Sequence, residues 1–169
     1  YEITVIEVIS PAEMDIRTQQ QQQERQEEMA IYKEKEGTVA TRIAEVLDAY
    51  KSGSLSEKLI TTSSGLEYVI EKQGGGEIPA LGDVVAVHYY GVLESDGTMF
   101  DNSYQRGNMF KFPVGQGQVI KGWDEALQLM PQGTEAVFFI PFDQAYGAAG
   151  RPPQIPEKAM LVFYIEYPM

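Results

Sequence analysis

Only one stretch in the second half of the chain has the period of a one-sided helix, and it stands among strands: Val114-Gly115-Gln116-Gly117-Gln118-Val119-Ile120-Lys121-Gly122-Trp123-Asp124-Glu125-Ala126-Leu127-Gln128-Leu129-Met130. Trp123, Ala126, Leu127 and Met130 recur at i, i+3, i+4 and i+7, which places them on one face of a short helix. Gly115 and Gly117 loosen the backbone ahead of it, and a Val-Ile pair leads in. Asp124 and Glu125 fall in the first turn, where negative charge suits the helix dipole, and Pro131 with Gly133 ends the helix after about two turns. Everything after residue 60 is therefore expected to wrap around a small helix that carries the chain's only tryptophan.

The flanking segments alternate. Leu66, Tyr68 and Ile70 alternate with Glu67, Val69 and Glu71, which predicts a half-buried strand ending at Gly74-Gly75-Gly76. Val85, Val87 and Tyr89 share a face opposite Ala86, His88 and Tyr90, and Asp96-Gly97 supplies a turn. Phe110 and Phe112, then Ala136, Phe138 and Ile140, then Leu161, Phe163 and Ile165 give the remaining inward sets. Each strand offers one apolar face, so residues 61–169 read as an α+β domain: antiparallel strands, strongly twisted, with the Trp123 helix plugging the concave side.

Residues 1–60 read as an extension. Tyr1 to Ile9 is strand-like by its β-branched content, with apolar residues on both faces, and Ser10-Pro11 stops it. From about 14 to 36 the chain is Gln, Glu, Lys and Arg, with five glutamines in a row at Gln19 to Gln23, which fits a solvated helix better than a core element. Gly37 is expected to break it and Thr38 to cap a second, amphipathic helix over about 38–51, whose Val39, Ile43, Val46, Leu47 and Tyr50 must pack on the following domain or on another copy of the chain.

Composition narrows the chemistry. A net charge of -12 disfavours nucleic acid and anionic lipid as partners. There is no cysteine, hence no disulfide or thiolate, and the single histidine, His88, excludes multi-histidine metal sites. No apolar run approaches the roughly 20 residues that span a bilayer. His88 lies mid-strand without a triad partner and reads as structural. Gly115-x-Gly117 lacks the third glycine of a dinucleotide fingerprint, and no Gly-Lys-Ser/Thr follows a glycine cluster. What remains is a density of aromatics near turns, Tyr89, Phe100, Phe110, Trp123, Tyr146 and Phe163, with one carboxylate, Asp101. Singly these are core residues; together they describe an apolar cup with few polar groups, as small-molecule and peptide sites are built.

Five runs in one order carry a resemblance: Val87-His88-Tyr89-Tyr90-Gly91, Gly97-Thr98-Met99-Phe100-Asp101-Asn102-Ser103, Val119-Ile120-Lys121-Gly122-Trp123, Ala145-Tyr146-Gly147 and Leu161-Val162-Phe163. Over roughly residues 62–167 the chain resembles FKBP-type peptidyl-prolyl cis-trans isomerases, the macrolide-binding immunophilins, in the bacterial form with a helical N-terminal extension. The resemblance implies an antiparallel half-barrel of five or six strands around one short helix, and a cofactor-free isomerase that acts on proline-containing peptides or unfolded proteins. It implies a catalytic set of Asp101, Tyr146, Trp123, Phe163 and Tyr89, and substrate contacts from Phe100, Phe110, Val119, Ile120 and Ile155. In that reading Trp123 is the floor under the proline ring, Tyr89, Phe110 and Phe163 are walls, Ile120 offers its N–H and Tyr146 its hydroxyl to carbonyls, and Asp101 lies near the twisting imide. Arg151 and Gln154 depart from the common pattern, the first standing where a small residue or histidine is usual and the second replacing an aliphatic one.

The extension leaves two arrangements open. Tyr1 to Val8 is similar to the domain's own last strand, as the closing strand of a preceding domain would be; alternatively it pairs with an edge of a second copy. Envelope isomerases of bacteria with this layout use the extension for dimerisation and chaperone activity, which by analogy favours the periplasm over the cytoplasm. The alternative function is accordingly a chaperone or proline-binding module whose extension mediates dimerisation or grips clients.

Overall fold

The computed structural model describes residues 10–169; the strand expected over 1–9 lies outside them. Ser10 and Pro11, the pair that ends that strand in the sequence, begin a helix. Ser10 and Glu13 form a reciprocal capping box, with the Ser10 hydroxyl oxygen accepting from the Glu13 N–H and the Glu13 carboxylate accepting from the Ser10 N–H, and Pro11 occupies the first position. The helix, α1, is unbroken from Pro11–Lys51. This corrects the expected pair of helices divided at Gly37. A helical glycine costs only about 1 kcal/mol against alanine, and four buried aliphatic side chains follow within ten residues. Thr38 does not cap; its hydroxyl donates back to the Glu34 carbonyl at 3.2 Å.

The sheet is antiparallel throughout. Its strands are β1 (Ile60–Thr61), β2 (Glu67–Lys72), β3 (Val84–Leu93), β4 (Met99–Asn102), β5 (Phe110–Pro113), β6 (Glu135–Ile140) and β7 (Leu161–Glu166), in the spatial order β1-β2-β6-β7-β3-β4. Strand β3 is long enough to pair twice along one edge, with β5 through Val84 to Val87 and with β4 through Tyr90 to Val92, while its other edge takes β7. The α+β class and the open antiparallel sheet around one short helix stand as expected. The strand number is seven because the two-residue β1 adds an edge.

The short helix α2 spans Lys121–Leu127. Trp123, Ala126, Leu127 and Met130 are buried against Val85, Val87 and Tyr89 of β3, Ala136, Phe138 and Ile140 of β6, and Leu161, Phe163 and Ile165 of β7. One expectation needs amending: the strands do not have a single apolar face. Every residue of β7 is buried, because Val39, Ile43, Val46 and Leu47 of α1 cover the outer side, packing on Val92, Val137, Phe139, Val162 and Tyr164. Tyr50 stacks on Phe139 with ring centroids 3.9 Å apart. Of the two destinations open to the amphipathic half of the extension, the sheet is the one it takes. Its first half, from Pro11 to Ile31, is exposed throughout.

Candidate active site

The site begins with a backbone problem. Gly115 and Gly117 adopt φ of 74° and 70°, a left-handed conformation that side chains disfavour. The Asp124 carboxylate then ties the loop to α2, accepting from Gly115 N at 2.7 Å and Gly117 N at 3.1 Å. The loop delivers Val119 and Ile120 to the start of α2. The Ile120 carbonyl accepts from the Trp123 and Asp124 N–H groups, whereas among the described residues its own N–H finds no acceptor within the chain.

Trp123, 4% exposed, lies at the centre of a cluster of rings. Tyr89 meets it edge-on at 5.0 Å and 82°, Phe163 at 5.2 Å and 87°, and Phe110 at 5.9 Å and 77°. Edge-to-face packing of this kind matches the positive ring edge to the negative ring face. Phe100 meets Phe163 at 89°, and a glycine makes that contact fit: a Cβ on Gly91 would come within 2.6 Å of Phe163 and 2.8 Å of Phe100. The indole N–H is buried without a partner among the described residues.

Polar chemistry at the site is concentrated in one triangle. The Tyr89 hydroxyl donates to Asp101 Oδ2 at 2.6 Å, Arg106 donates to Asp101 Oδ1 at 2.7 Å, and the Arg106 guanidinium also reaches the Tyr89 oxygen. Burial pushes the Tyr89 hydroxyl above its ordinary range, and its bond to Asp101 pushes the same way, so Tyr89 is a neutral donor at physiological pH. Arg106 is the partner that sequence reasoning missed. The available signal was a lone cation five residues after Asp101, just before Gly107.

The rings and Asp101, though not Arg106, line one cavity of about 470 Å³. Tyr89, Phe100, Asp101 and Phe110 come from β3, β4 and β5; Val119, Ile120 and Trp123 from the loop and α2; Tyr146 and Ile155 from the β6–β7 connection; Phe163 from β7. All ten residues singled out in the sequence thus meet in one place. Phe110 stays 38% exposed, at the edge rather than the interior. Gln118, Arg151 and Gln154 complete the lining. A two-way hydrogen bond between Arg151 and Ile155 holds that end of the connection, and the Arg151 guanidinium lies over the Tyr146 ring at 5.7 Å. The Tyr146 hydroxyl has no hydrogen-bond partner among the described residues. His88 is on the opposite side of the sheet, bonded through Nδ1 to Ser103 Oγ at 3.0 Å and stacked on Tyr104. Among the described residues no three acidic or histidine side chains gather into a metal site.

Comparison with known proteins bears directly on this cavity. The family model described as FKBP-type peptidyl-prolyl cis-trans isomerase matches residues 75–167, more than half of the chain. The chain belongs to that family. An FKBP-type isomerase, FkpA, of Aeromonas hydrophila is 48% identical over 110 residues, covering 65% of this chain but only 40% of that protein's length. FK506-binding protein 1 of Dictyostelium discoideum is 47% identical over 102 residues, 60% of this chain and 94% of that protein. The crystal structure of AtFKBP13 superposes with a TM-score of 0.62 at 35% identity, over 64% of this chain and 95% of the other. The family segment holds β3 to β7, α2 and every residue that lines the cavity, while α1, β1 and β2 lie upstream of it.

Proposed function

We propose that the cavity receives the ring of a prolyl residue and speeds cis–trans rotation of the peptide bond before it. The bond turns slowly because planarity carries amide resonance, and the barrier is about 18–20 kcal/mol. In the twisted state the resonance is lost and the amide is less polar. A dry cup of rings favours that state over the planar amide, and a clamped proline leaves only the acyl side to turn. Neither nucleophile nor cofactor enters. The observation that carries this reading is the packing of Tyr89, Phe110 and Phe163 edge-on around Trp123 at the base of a cavity that exposes an unspent Ile120 N–H and Tyr146 hydroxyl. In it Trp123 is the floor, Phe100, Val119 and Ile155 complete the apolar wall, Ile120 and Tyr146 donate to substrate carbonyls, and the Asp101 carboxylate, oriented by Tyr89 and Arg106, faces the imide. Two-dimensional NMR exchange on a short Leu-Pro peptide tests it: the chain raises the exchange rate, and an FK506-type macrolide suppresses the effect. A folded chain that leaves the rate unchanged overturns the reading.

A second reading concerns partners. The first half of α1 carries Met14, Ile16 and Ile31 more than half exposed, on a stretch that is exposed from Pro11 to Ile31 and meets the domain at Gly107 through Met29. That surface supports pairing with a second copy or contact with unfolded clients, and protein folding as the setting of the isomerase. Sedimentation of the chain and of a version beginning at residue 29 separates the two: a dimer that becomes a monomer on shortening supports pairing. A cut at residue 60 is unsuitable, since it strips Val39, Ile43, Val46 and Leu47 from the sheet.

A further inference from the structure

We propose that the Arg151 end of the cavity selects prolyl segments with an acidic side chain next to the proline, an inference that rests on the isomerase reading of the site. Charge balance comes first. Among the thirteen lining residues there is one carboxylate, Asp101, and one cation, Arg151. Asp101 is already answered by Arg106 at 2.7 Å. Arg151 has no carboxylate partner among the described residues; its guanidinium lies over the Tyr146 ring. A chain of net charge -12 therefore presents a locally positive site at the mouth of its cavity.

Hydrogen-bonding capacity points the same way. Gln118 and Gln154 line the same cavity as Arg151, and none of the three side chains bonds to another group among the described residues. A guanidinium and two amides are thus unspent in a lining whose other residues, Asp101 apart, are aromatic or aliphatic. The Tyr146 ring holds the guanidinium by a cation–π contact without consuming its donors, and the Arg151–Ile155 backbone pair fixes where it starts. A planar fork of donors with no internal acceptor suits a carboxylate, which it binds through two parallel hydrogen bonds. The proline ring would occupy the aromatic floor and the carboxylate the polar rim.

The test compares isomerisation of Glu-Pro and Gln-Pro peptides, and of Pro-Glu and Pro-Gln peptides, by NMR exchange at low ionic strength. One of the two Glu/Gln pairs, before or after the proline, is expected to show kcat/KM about threefold higher for Glu, as an exposed charge pair at this range gives. The ratio falls to one in Arg151→Leu, inverts in Arg151→Glu, survives in Arg151→Lys, and shrinks at about 0.5 M salt. Because each ratio is taken within one protein, a general loss of activity in a variant does not mimic the result. Glu/Gln ratios of one in both series, or a ratio unchanged in Arg151→Leu, overturns the inference. Trp123 fluorescence reads peptide binding separately from turnover. A chain that binds Glu peptides more tightly through Arg151 yet accelerates no peptide keeps the acid-binding rim and refutes the isomerase; one that isomerises Leu-Pro without acid preference does the reverse.

Discussion

The two faces of this sheet are built from alternate residues of the same strands and end in opposite outcomes. On the inner face Tyr89, Phe138 and Phe163 meet α2; on the outer face Val92, Phe139, Val162 and Tyr164 meet α1. The inner face is dominated by rings set nearly perpendicular to one another around Trp123, and rigid planar groups in that arrangement leave a hollow of about 470 Å³. The outer face is closed by Val39, Ile43, Val46 and Leu47, aliphatic side chains that pack on it, and a cleft of about 220 Å³ is left where α1 passes Tyr90, Val92 and the turn at Asp96 and Gly97. One strand period therefore divides labour: odd positions of β3 such as Tyr89 build the site, and even ones such as Val92 hold the long helix. Rings occur on both faces, but they stand nearly perpendicular around Trp123 and lie stacked where Tyr50 meets Phe139 under α1.

The sharpest way to break that comparison is to shorten one side chain on each face. Trp123→Leu keeps an apolar residue under α2 but removes the floor, and is expected to lower kcat/KM on a Leu-Pro peptide more than about tenfold, about 1.4 kcal/mol of transition-state stabilisation. Ile43→Ala is expected to cost about 2–5 kcal/mol of unfolding free energy by denaturant titration, with kcat/KM per folded molecule intact. Equal losses of turnover from the two variants would mean that the faces are not separable.

The inner face was the legible one. Its pattern is local and strong: a period-3.6 helix with one tryptophan, strands whose inward residues fall two apart, and six aromatics with Asp101 that the fold gathers into one cavity, joined there by Val119, Ile120 and Ile155, which only the family resemblance named. The outer face was written in the same strands and passed over. Val137 with Phe139, and Val162 with Tyr164, fill the positions between the inward sets, and a run apolar at every position signals burial on both sides. The break at Gly37 was misjudged for a related reason. Propensity is local, whereas the burial of Val39 to Leu47 on a distant sheet decides whether the helix continues. Arg106 and Gly91 were hidden for want of a pattern: one acts through an ion pair and the other through an absent side chain, and neither repeats.

Smaller effects sharpen the inner face. Asp101→Ala and Tyr146→Phe each remove hydrogen-bonding capacity without emptying the cup. Each is expected to lower kcat/KM about fivefold, about 1 kcal/mol, and so less than Trp123→Leu. Activity abolished by either alone would show that a polar step, not the apolar lining, controls rotation. Between the faces stands Glu36, whose carboxylate accepts from Asn102 Nδ2 at 3.2 Å and Gln105 Nε2 at 2.9 Å, so that α1 braces the segment carrying Asp101 and Arg106. Glu36→Ala is expected to destabilise the fold by about 1 kcal/mol, with recovery in Glu36→Gln, whose amide oxygen still accepts. A variant with unaltered denaturation midpoint would show that these two hydrogen bonds do not hold that segment.

The weakest effect tests the seam alone, through pH. His88 lies under α1, with Ser103 Oγ at Nδ1, the Tyr32 and Tyr104 rings on either side, and Lys35 and Glu166 as the charges that act on it. Burial lowers its pKa from the ordinary 6.5; Glu166 opposes that shift and Lys35 adds to it. The sign follows from proton counting. Between the lowered folded value and 6.5 the unfolded chain binds more protons at this site than the folded one, so stability rises with pH across that window and falls on acidification from about 6.5. Above 6.5 the ring is neutral in both states and contributes no slope. In His88→Gln, which retains an amide able to bond Ser103, the loss of stability between about pH 7 and the folded value should disappear, while turnover at a cavity on the other side of the sheet keeps its pH profile. An unchanged stability slope would show that His88 titrates as it does in the unfolded chain, and a changed turnover profile would show that the two faces communicate through β3.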